Sequence, residues 1–472
     1  MQLIKGGPDI PEGLLQAHED DRVVFFCGAG ISYPAGLPGF KGLVKKLYAA
    51  IGTTPTSPEQ SAIKSQQYDT AIGLLEARVV GGRQAVRQRI ADILTPDLSL
   101  PRAIETHKAL LTLSKNRKGQ YRLITTNFDR IFEHVITSLS LSVPRCQAPM
   151  LPVPKSRWSE LIYLHGLLPD KPNTSQLDAL VVSSGDFGLA YLVERWAARF
   201  VSDLFRNYTV CFVGYSINDP VLRYMMDALA ADRMRGEKPT EVFAFGSYSK
   251  GHKADASAAW EAKNVTPILY QEHRRHWYLH QTLRAWSDTY RDGILGKERI
   301  IVDYASVRPL PSTEQEDPIG RVLWALADPT GLPAKRFAEL DPPRSLDWLD
   351  ALSEQRFRHA DLPRFGVQPD REENKALAFS FINRPTPYSR SPSMSIVELS
   401  GSAWDDVMLQ LGYWLARHLN DPKLLHWITS RGGRLHPTFK MIIEQEIKKN
   451  PLPKTMMTLW RLVLSDRVTG RP

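Results

Sequence analysis

Cysteine is scarce in this chain of 472 residues, which contains only Cys27, Cys146 and Cys211. The three lie far apart and no two form a Cys-x-x-Cys pair, so they cannot build a four-thiolate zinc site or a disulfide framework. Scattered free cysteines are typical of a reducing compartment. We therefore expect a cytoplasmic protein without a metal site.

Long uncharged runs are also scarce, and the longest does not predict a membrane span. Val23–Phe40 contains eighteen residues without a charged side chain, about the length that crosses a bilayer. It includes four glycines and two prolines, which would break a lipid-exposed helix. The first residues lack a basic stretch followed by an apolar core, so we expect neither a secretory signal nor membrane attachment.

Charge of one sign is present only in mild excess. Lys and Arg number 60 against 51 Asp and Glu, a net charge of +9 over the whole chain. Spread over this length, the excess does not indicate a nucleic-acid partner. With 43% hydrophobic and 24% charged residues, the composition is that of a globular protein and excludes a disordered or collagen-like chain.

Short apolar runs recur through about the first 270 residues, and most are continuous rather than alternating. They are Val23–Cys27, Arg122–Thr126, Leu161–Leu164, Ala179–Ser183, Val210–Val213, Val242–Phe245 and Val265–Tyr270. This pattern is typical of strands covered by helices on both faces. Because helical stretches such as Arg102–Leu113 and Tyr191–Asn207 lie between them, we predict a Rossmann-like parallel α/β sheet. The long gap between the first two runs predicts a helical insertion at about residues 41–115.

We expect the sheet domain to cover residues 1–295, and the remainder of the chain changes character twice. Residues 296–393 are rich in proline and predict a partly folded connecting region. Residues 394–472 predict four helices with short connections. The first begins at a capping-box-like Ser402-x-x-Asp405 and places the apolar residues of Trp404–Leu419 on one face. We expect these helices to begin a longer sensor or solenoid domain. The chain would then be a fragment of a longer protein.

The first predicted strand ends in a glycine-rich segment, Gly28-Ala29-Gly30-Ile31-Ser32. A buried strand that ends in two glycines and a hydroxyl can bring backbone N–H groups against a pyrophosphate. Tyr33 occupies the place of the third glycine of the dinucleotide fingerprint. The motif alone therefore leaves open a tight turn without a ligand.

Polar residues follow the second strand in the segment Thr126-Asn127-Phe128-Asp129. They emerge at the carboxyl edge of the sheet, where open α/β proteins place ligands. Asn127 or Asp129 could instead cap a helix through Ile131–Ile136. That alternative accounts for only one of the two.

Two further strand ends carry similar chemistry. His165 ends an apolar strand and is followed by a glycine that leaves room in front of the ring. A lone histidine is more often structural, but its position beside the expected cleft favours a functional role. Gly214-Tyr215-Ser216 repeats the order of strand, glycine and hydroxyl, and Asp219-Pro220 then suits the start of a helix.

Taken in order, these strand ends resemble the sirtuins, specifically the sirtuin-like domains of bacterial anti-phage defence proteins. The resemblance covers roughly residues 15–290 and lies in Gly28–Ser32, Ala35–Phe40, Thr126–Asp129, Leu164–Gly166 and Gly214–Ser216. Each segment alone is unspecific, and their common order carries the resemblance.

The resemblance implies an NAD⁺ site at the sheet edge and NAD⁺ glycohydrolase activity. It implies that Asn127 holds the nicotinamide ribose and the attacking water, that Asp129 binds the carboxamide, and that His165 is the general base on a ribose hydroxyl. The residues that it implies for the remaining contacts are Gly28, Ala29, Gly30, Ser32, Phe40, Thr126, Gly214 and Ser216. Because nicotinamide is a cationic leaving group, cleavage needs positioning and charge stabilisation more than a strong acid. A histidine with a pKa near neutrality suits the proton transfer.

Two departures from the deacylating sirtuins weigh against deacylation. Those enzymes are similar to one another in carrying four zinc-binding cysteines, and Lys41 stands where their usual arginine follows the segment ending in Phe40. The departures favour plain NAD⁺ hydrolysis. Two alternatives stay open, a non-catalytic module that binds NAD⁺ or ADP-ribose and an NAD-dependent deacylase without zinc.

The expected activity also bears on regulation. An enzyme that depletes NAD⁺ as an abortive-infection effector must be inactive in the resting cell. We therefore expect a homo-oligomer or occlusion by the helical C-terminal region, released by a phage protein or a partner defence protein.

Other polar residues are expected to be structural. His107 is predicted to lie on the helix before the second strand, where it packs or faces solvent. Asp186 is predicted to cap the helix after Ala179–Ser183, with Phe187 and Tyr191 packing near the cleft.

Overall fold

The computed structural model describes two compact units, Gly6–Arg291 and a second unit that combines Met1–Lys5 with Asp292–Pro472. The residues described are 1–155, 158–170, 174–219, 221–226, 240–313, 315–328, 330–352, 367–368, 378–379, 382–383, 406–431, 434–435 and 437–465. Among them, we find no helix with the length and hydropathy needed to cross a membrane.

The first unit is built on a seven-stranded sheet. Its strands are β1 Val23–Cys27, β2 Arg122–Thr125, β3 Arg145–Gln147, β4 Glu160–Tyr163, β5 Thr209–Val213, β6 Val242–Tyr248 and β7 Thr266–Gln271. Their order across the sheet is β3-β4-β2-β1-β5-β6-β7. Every neighbouring pair is parallel. The predicted Rossmann-like parallel α/β fold is confirmed.

Strand β1 lies at the centre of this sheet, and all of its five residues are buried. It pairs with β2 on one side, where Cys27 lies opposite Thr125, and with β5 on the other, where it lies opposite Val213. Beyond β1 the chain continues to β2 on one side, and beyond β5 it continues to β6 on the other, so the strand order reverses between β1 and β5. Such a switch point opens a crevice in which parallel α/β proteins bind ligands.

One predicted strand is absent, and one strand that is present was not predicted. Ala179–Ser183 forms no strand, because Val181 bonds to the His165 carbonyl at 3.0 Å and Ser183 already caps the next helix. Strand β3 was missed because Arg145 and Gln147 are exposed and Cys146 is only half-buried, so the segment carries no apolar run.

Five helices lie between β1 and β2 where the helical insertion was predicted. They are α2 Phe40–Ile51, α3 Ser57–Lys64, α4 Tyr68–Arg78, α5 Gly82–Ile93 and α6 Glu105–Ser114. Helices α2, α4 and α5 enclose a small apolar core of their own, with Leu47, Ile72 and Ile90 fully buried.

The other helices of this unit precede, connect or follow the strands. They are α1 Glu12–Glu19, α7 Ile131–Ser138, α8 Thr174–Asp178, α9 Ser184–Phe187, α10 Trp196–Asn207, α11 Lys253–Glu261 and α12 Trp277–Asp292. A 3₁₀ helix, Ala29–Ala35, follows β1, and a π-helix, Gly188–Val193, follows α9. Residues 221–226 are also helical.

The second unit is mainly helical, as predicted for the C-terminal region. Its helices are α13 Ile294–Tyr304, α14 Pro318–Leu326, α15 Leu332–Glu339, α16 Trp348–Leu352, α17 Asp406–Ala416, α18 Pro422–Arg431, α19 Pro437–Lys449 and α20 Lys454–Leu464. Short paired strands are β8 Val367–Gln368 with β9 Ala378–Phe379, and β10 Ile382–Asn383 with β11 Arg434–Leu435.

Apolar side chains from both predicted C-terminal segments share one core in this unit. Phe337 and Trp348, from the proline-rich segment 296–393, pack with Trp414 and Trp460 from the later helices. The predicted helix start at Ser402–Asp405, including Trp404, lies outside the described residues.

Candidate active site

A cavity opens at the carboxyl ends of the central strands. It encloses about 590 Å³ of space free of protein atoms, including open solvent at its mouth. Seven of the eleven residues that the sequence singled out line it: Ala29, Ser32, Phe40, Thr126, Asn127, Asp129 and His165. The structure thus brings together residues from the loops after β1, β2 and β4.

A buried hydrogen-bond network joins two of these loops. The Ser32 hydroxyl donates to Asp129 Oδ2 at 2.8 Å and accepts from the Asn127 amide at 3.1 Å. The same amide group donates to the Gly28 carbonyl at 3.2 Å. All three side chains are less than one-tenth exposed, so their polar groups are fixed in orientation at the cavity wall.

Asp129 combines the two roles that the sequence left as alternatives. Its Oδ1 accepts from the Ile131 amide at 3.1 Å and so caps α7, while Oδ2 belongs to the network with Ser32. Burial raises the pKa of this carboxyl, and the hydrogen bonds from Ser32 and Ile131 oppose that rise.

His165 lies directly after β4 and is 1% exposed. Its Nε2 is 3.0 Å from the Tyr191 hydroxyl. Its ring packs edge-to-face with the Phe187 ring, and the two ring centroids are 5.1 Å apart. Burial lowers the pKa of His165 to about 3, although the charge of Asp186 acts in the opposite direction. The pKa near neutrality that was expected for the base is therefore not found. The charged form of this buried ring would be cut off from water.

The four remaining candidates, Gly28, Gly30, Gly214 and Ser216, do not line the cavity. A Cβ at Gly30 would lie 2.8 Å from the Gly214 Cα, and Gly214 itself has a φ of +78°. The Gly30 amide donates to the Gly214 carbonyl at 2.9 Å, and the Gly28 amide donates to Val213 at 2.8 Å. These glycines allow two loops to pack backbone to backbone, and their phosphate contacts stay a prediction.

One backbone donor beside the cavity remains available. The Ala29 amide begins the 3₁₀ helix, and no hydrogen bond within the described part of the chain uses it. Ala29 lines the cavity together with Ser32 and Asn127. An unpaired amide at a helix start is suited to an anionic group such as a phosphate.

Two titratable residues at the site had been overlooked as functional candidates. His107 does lie on α6 and packs against Phe132, as expected, but its Nε2 is also 3.4 Å from the Ser32 hydroxyl. Burial, followed by the nearby His280, lowers the pKa of His107 to about 3. The helix position in the sequence gave no sign that this ring faces the site.

Asp219 is the second such residue, and it lines the cavity after β5. Burial raises its pKa to about 6, the backbone amides of Val221 and Leu222 lower it, and Asp69 raises it further. The sequence predicted only the cap, which is present because Asp219 Oδ1 accepts from the Val221 amide at 2.9 Å.

The helical insertion holds the chain segment that follows His165. Arg87 of α5 is fully buried and donates to the carbonyls of Leu177 and Leu180 at 2.8 and 2.6 Å. It also pairs with Asp186, which accepts from the Ser183 amide at 2.8 Å. Ser183 is the N-cap of α9, and Asp186, which was predicted as the cap, completes the capping box from the third helical position. The wall of the cavity beside His165 is thereby fixed to the insertion.

A family of known proteins matches part of the sheet unit. The SIR2-like domain family matches residues 122–268. This range runs from β2 into β7 and includes Asn127, Asp129, His165 and Gly214. The chain therefore contains a sirtuin-like domain, as its motifs indicated.

A longer relative extends the match. The uncharacterized protein y4cA of Sinorhizobium fredii (strain NBRC 101917 / NGR234) is 34% identical over 336 residues. The aligned region covers 69% of this chain but 27% of the relative, so the chain spans about a quarter of that protein's length.

Proposed function

We propose that this chain is an NAD⁺ glycohydrolase, which uses water to cleave NAD⁺ into nicotinamide and ADP-ribose. The observation that carries the proposal is the convergence of Ser32, Asn127, Asp129 and His165 on one cavity within a sirtuin-like domain. SIR2-like domains use NAD⁺, and the activity requires no metal in this proposal.

The residues at the cavity fit NAD⁺ by their chemistry. The Ala29 amide offers a donor to a phosphate, while Asn127 and Asp129 offer the amide and carboxyl groups that a ribose and a carboxamide require. Phe40, Phe128 and Phe187 provide apolar wall for a flat ring.

NAD⁺ supplies a cationic nicotinamide leaving group, so the protein needs to position and shield rather than to donate a proton. Ser32 fixes the side chains of Asn127 and Asp129, which in turn orient the ribose and the carboxamide. His165 is neutral in its buried position and can accept a proton from a ribose hydroxyl.

One observation favours a second candidate, a module that binds NAD⁺ or ADP-ribose without cleaving it. His165 is buried and paired with Tyr191, and a histidine with a pKa of about 3 is a weak base. The hydrolase proposal therefore requires that the pKa of His165 rises when substrate enters, because a hydroxyl partner and solvent replace apolar surroundings.

We place this activity in bacterial anti-phage defence. Rapid loss of NAD⁺ would stop growth of an infected cell, so the activity must be low at rest and rise in response to a phage protein or a partner chain. The helical unit and homo-oligomer formation are the proposed means of control, and the cytoplasm is the proposed location.

The test is nicotinamide release from NAD⁺ by the intact chain, with and without an acetyl-lysine peptide. We expect release without the peptide and equal amounts of nicotinamide and ADP-ribose. Release that depends on the peptide would replace the hydrolase with a deacylase. NAD⁺ binding without release, by the intact chain and by a chain of residues 6–292 that lacks the helical unit, would replace it with the binding module.

A further inference from the structure

The hydroxyl of Tyr191 is the polar group against His165. The two side chains are 4% and 1% exposed, and the hydroxyl is 3.0 Å from Nε2. Tyr191 is carried by the π-helix Gly188–Val193, a rare backbone form that is common at functional sites. This turn buries Ala190 and Tyr191 and leaves its other long apolar side chains outside, so it directs the phenol inward.

Tyr191 belongs to a stack of three aromatic rings. The Tyr224 ring lies 5.0 Å from Phe187 with planes 5° apart, and 5.6 Å from Tyr191 with planes 27° apart. The Phe187 ring also meets the His165 ring edge-on. The stack therefore restricts both the base and the phenol that pairs with it.

The stack is anchored in the helical insertion. The Tyr224 hydroxyl donates to Asp69 Oδ2 at 3.2 Å. Asp69 lies on α4 and is fully buried, and its Oδ1 has no hydrogen-bond partner within the described residues. A buried carboxylate with one polar contact holds that contact tightly, because water cannot replace it.

We propose that Tyr191 is a positioning residue for His165, anchored through Tyr224 on Asp69 of the insertion. The phenol fixes the ring orientation and selects which nitrogen of the neutral imidazole carries the proton. The proposal rests on the proposed function, because it assigns His165 the role of base.

The physical argument is that a neutral imidazole has two tautomers and only one suits a given proton transfer. A base is effective when a further group orients it, as in other base-and-orienter pairs. Here that group is the Tyr191 phenol, 3.0 Å from Nε2. In this assignment its oxygen accepts from Nε2–H, which leaves Nδ1 unprotonated as the nitrogen that takes the ribose proton. Loss of the hydroxyl would leave the His165 ring free to exchange tautomers.

The experiment compares Tyr191→Phe, Tyr224→Phe and Tyr208→Phe in the full chain. Tyr208→Phe is the matched control, because its hydroxyl bonds to the Lys155 carbonyl at 2.9 Å, at the opposite edge of the sheet. Histidines are labelled with nitrogen-15, and His165→Ala identifies the signals of this ring. The readouts are the two nitrogen shifts of His165 near neutral pH, together with kcat and KM for nicotinamide release.

We expect a single neutral tautomer in the wild type and in Tyr208→Phe. In Tyr191→Phe the two nitrogen shifts should move toward each other, and in Tyr224→Phe they should move less in the same direction. The kcat of Tyr191→Phe should fall about tenfold at unchanged KM, because the contact orients the base and does not bind substrate.

Nitrogen shifts of His165 that are the same in Tyr191→Phe and in the wild type would overturn the proposal. The spectral readout does not need catalysis. Absence of nicotinamide release from the wild type would therefore count against the proposed function alone, while the shifts would still decide the role of Tyr191.

Discussion

Single residues at the cavity serve more than one purpose. Asp129 caps α7 and accepts from Ser32, and Asn127 contacts both Ser32 and Gly28. A substitution here therefore changes the site and the local backbone together. His165 differs, because the one hydrogen bond that its side chain makes within the described part of the chain is with the Tyr191 hydroxyl.

The raised pKa of Asp219 makes a prediction about stability and pH. Its folded pKa of about 6 lies above the ordinary value of 3.8, so the folded state binds the proton more tightly than the unfolded state. Stability that depends on this group is present at low pH and falls as pH rises from about 4 to 6. Asp219→Asn, which keeps a capping oxygen, should raise Tm by a few degrees at pH 7.5 and by much less at pH 4.5.

Thermal unfolding at both pH values checks this prediction. Asp255→Asn is the control, since the Asp255 carboxylate on α11 is 81% exposed. An equal change in Tm for the two variants at both pH values would show that Asp219 is not destabilised by burial.

The depressed pKa of His165 makes a prediction about activity. A base with the ordinary pKa of 6.5 would lose activity as pH falls from 8 to 6, because it would become protonated. His165 in the closed cavity stays neutral over that range, since burial holds its pKa near 3. We expect kcat/KM for NAD⁺, which reports the free enzyme, to change less than twofold between pH 8 and 6. A fall of about fourfold over this range, as a base with a pKa of 6.5 would give, would contradict it.

At the scale of elements, the loops after β1 and β5 depend on glycine. A Cβ at Gly30 would meet backbone atoms of Gly214 at 2.8 Å, and neither loop can yield without moving its strand. Gly30→Ala should lower the free energy of unfolding by about 1–3 kcal/mol. Urea unfolding checks this, with Gly13→Ala on α1 as the control, because a Cβ there has 3.7 Å of clearance. Equal stability of Gly30→Ala and the wild type would contradict the packing argument.

The insertion and the segment after His165 are joined by a buried ion pair. Arg87→Ala should lower the free energy of unfolding by about 3–5 kcal/mol, since Asp186 and two carbonyls would lose a buried partner. Arg89→Ala on the same helix should change stability by less than about 0.5 kcal/mol, because Arg89 is 54% exposed. Urea unfolding of the two variants checks the difference, and similar losses would contradict the account.

The sequence predicted the elements that bury continuous apolar runs and missed those that do not. Val23–Cys27 matches β1 at both ends, because it carries a full hydrophobic signal. Strand β3 has none. Ala179–Ser183 has the composition of a strand, but the capping box of Ser183 with Asp186 and the bond to the His165 carbonyl decide its form.

The site was predictable to the extent that strand ends meet at one edge. Asn127, Asp129 and His165 could be placed there from the parallel order alone. Tyr191 was expected near the cleft, but its contact with His165 was not, and neither were the positions of His107 and Asp69 at the site. These residues reach the site from helices whose packing depends on contacts distant in sequence. The same applies to the pKa of His165, which follows from burial rather than from its neighbours in the chain.

At the scale of the whole molecule, the chain consists of two compact units, and the candidate site lies within Gly6–Arg291. We expect a shortened chain of residues 6–292 to fold alone, because its sheet and helices share their own cores. If the helical unit restrains the enzyme, the shortened chain should release nicotinamide several-fold faster than the intact chain at equal concentration. An equal or slower rate in a folded shortened chain would contradict restraint by that unit.

The most direct measurement is nicotinamide release from NAD⁺ by the intact chain, by His165→Ala and by the Tyr208→Phe control, together with NAD⁺ binding by each. The account predicts release by the intact chain and the control, and loss of release with retained binding in His165→Ala. Tight binding of NAD⁺ without release, by the intact chain and by a folded chain of residues 6–292, would contradict the hydrolase and leave a binding module.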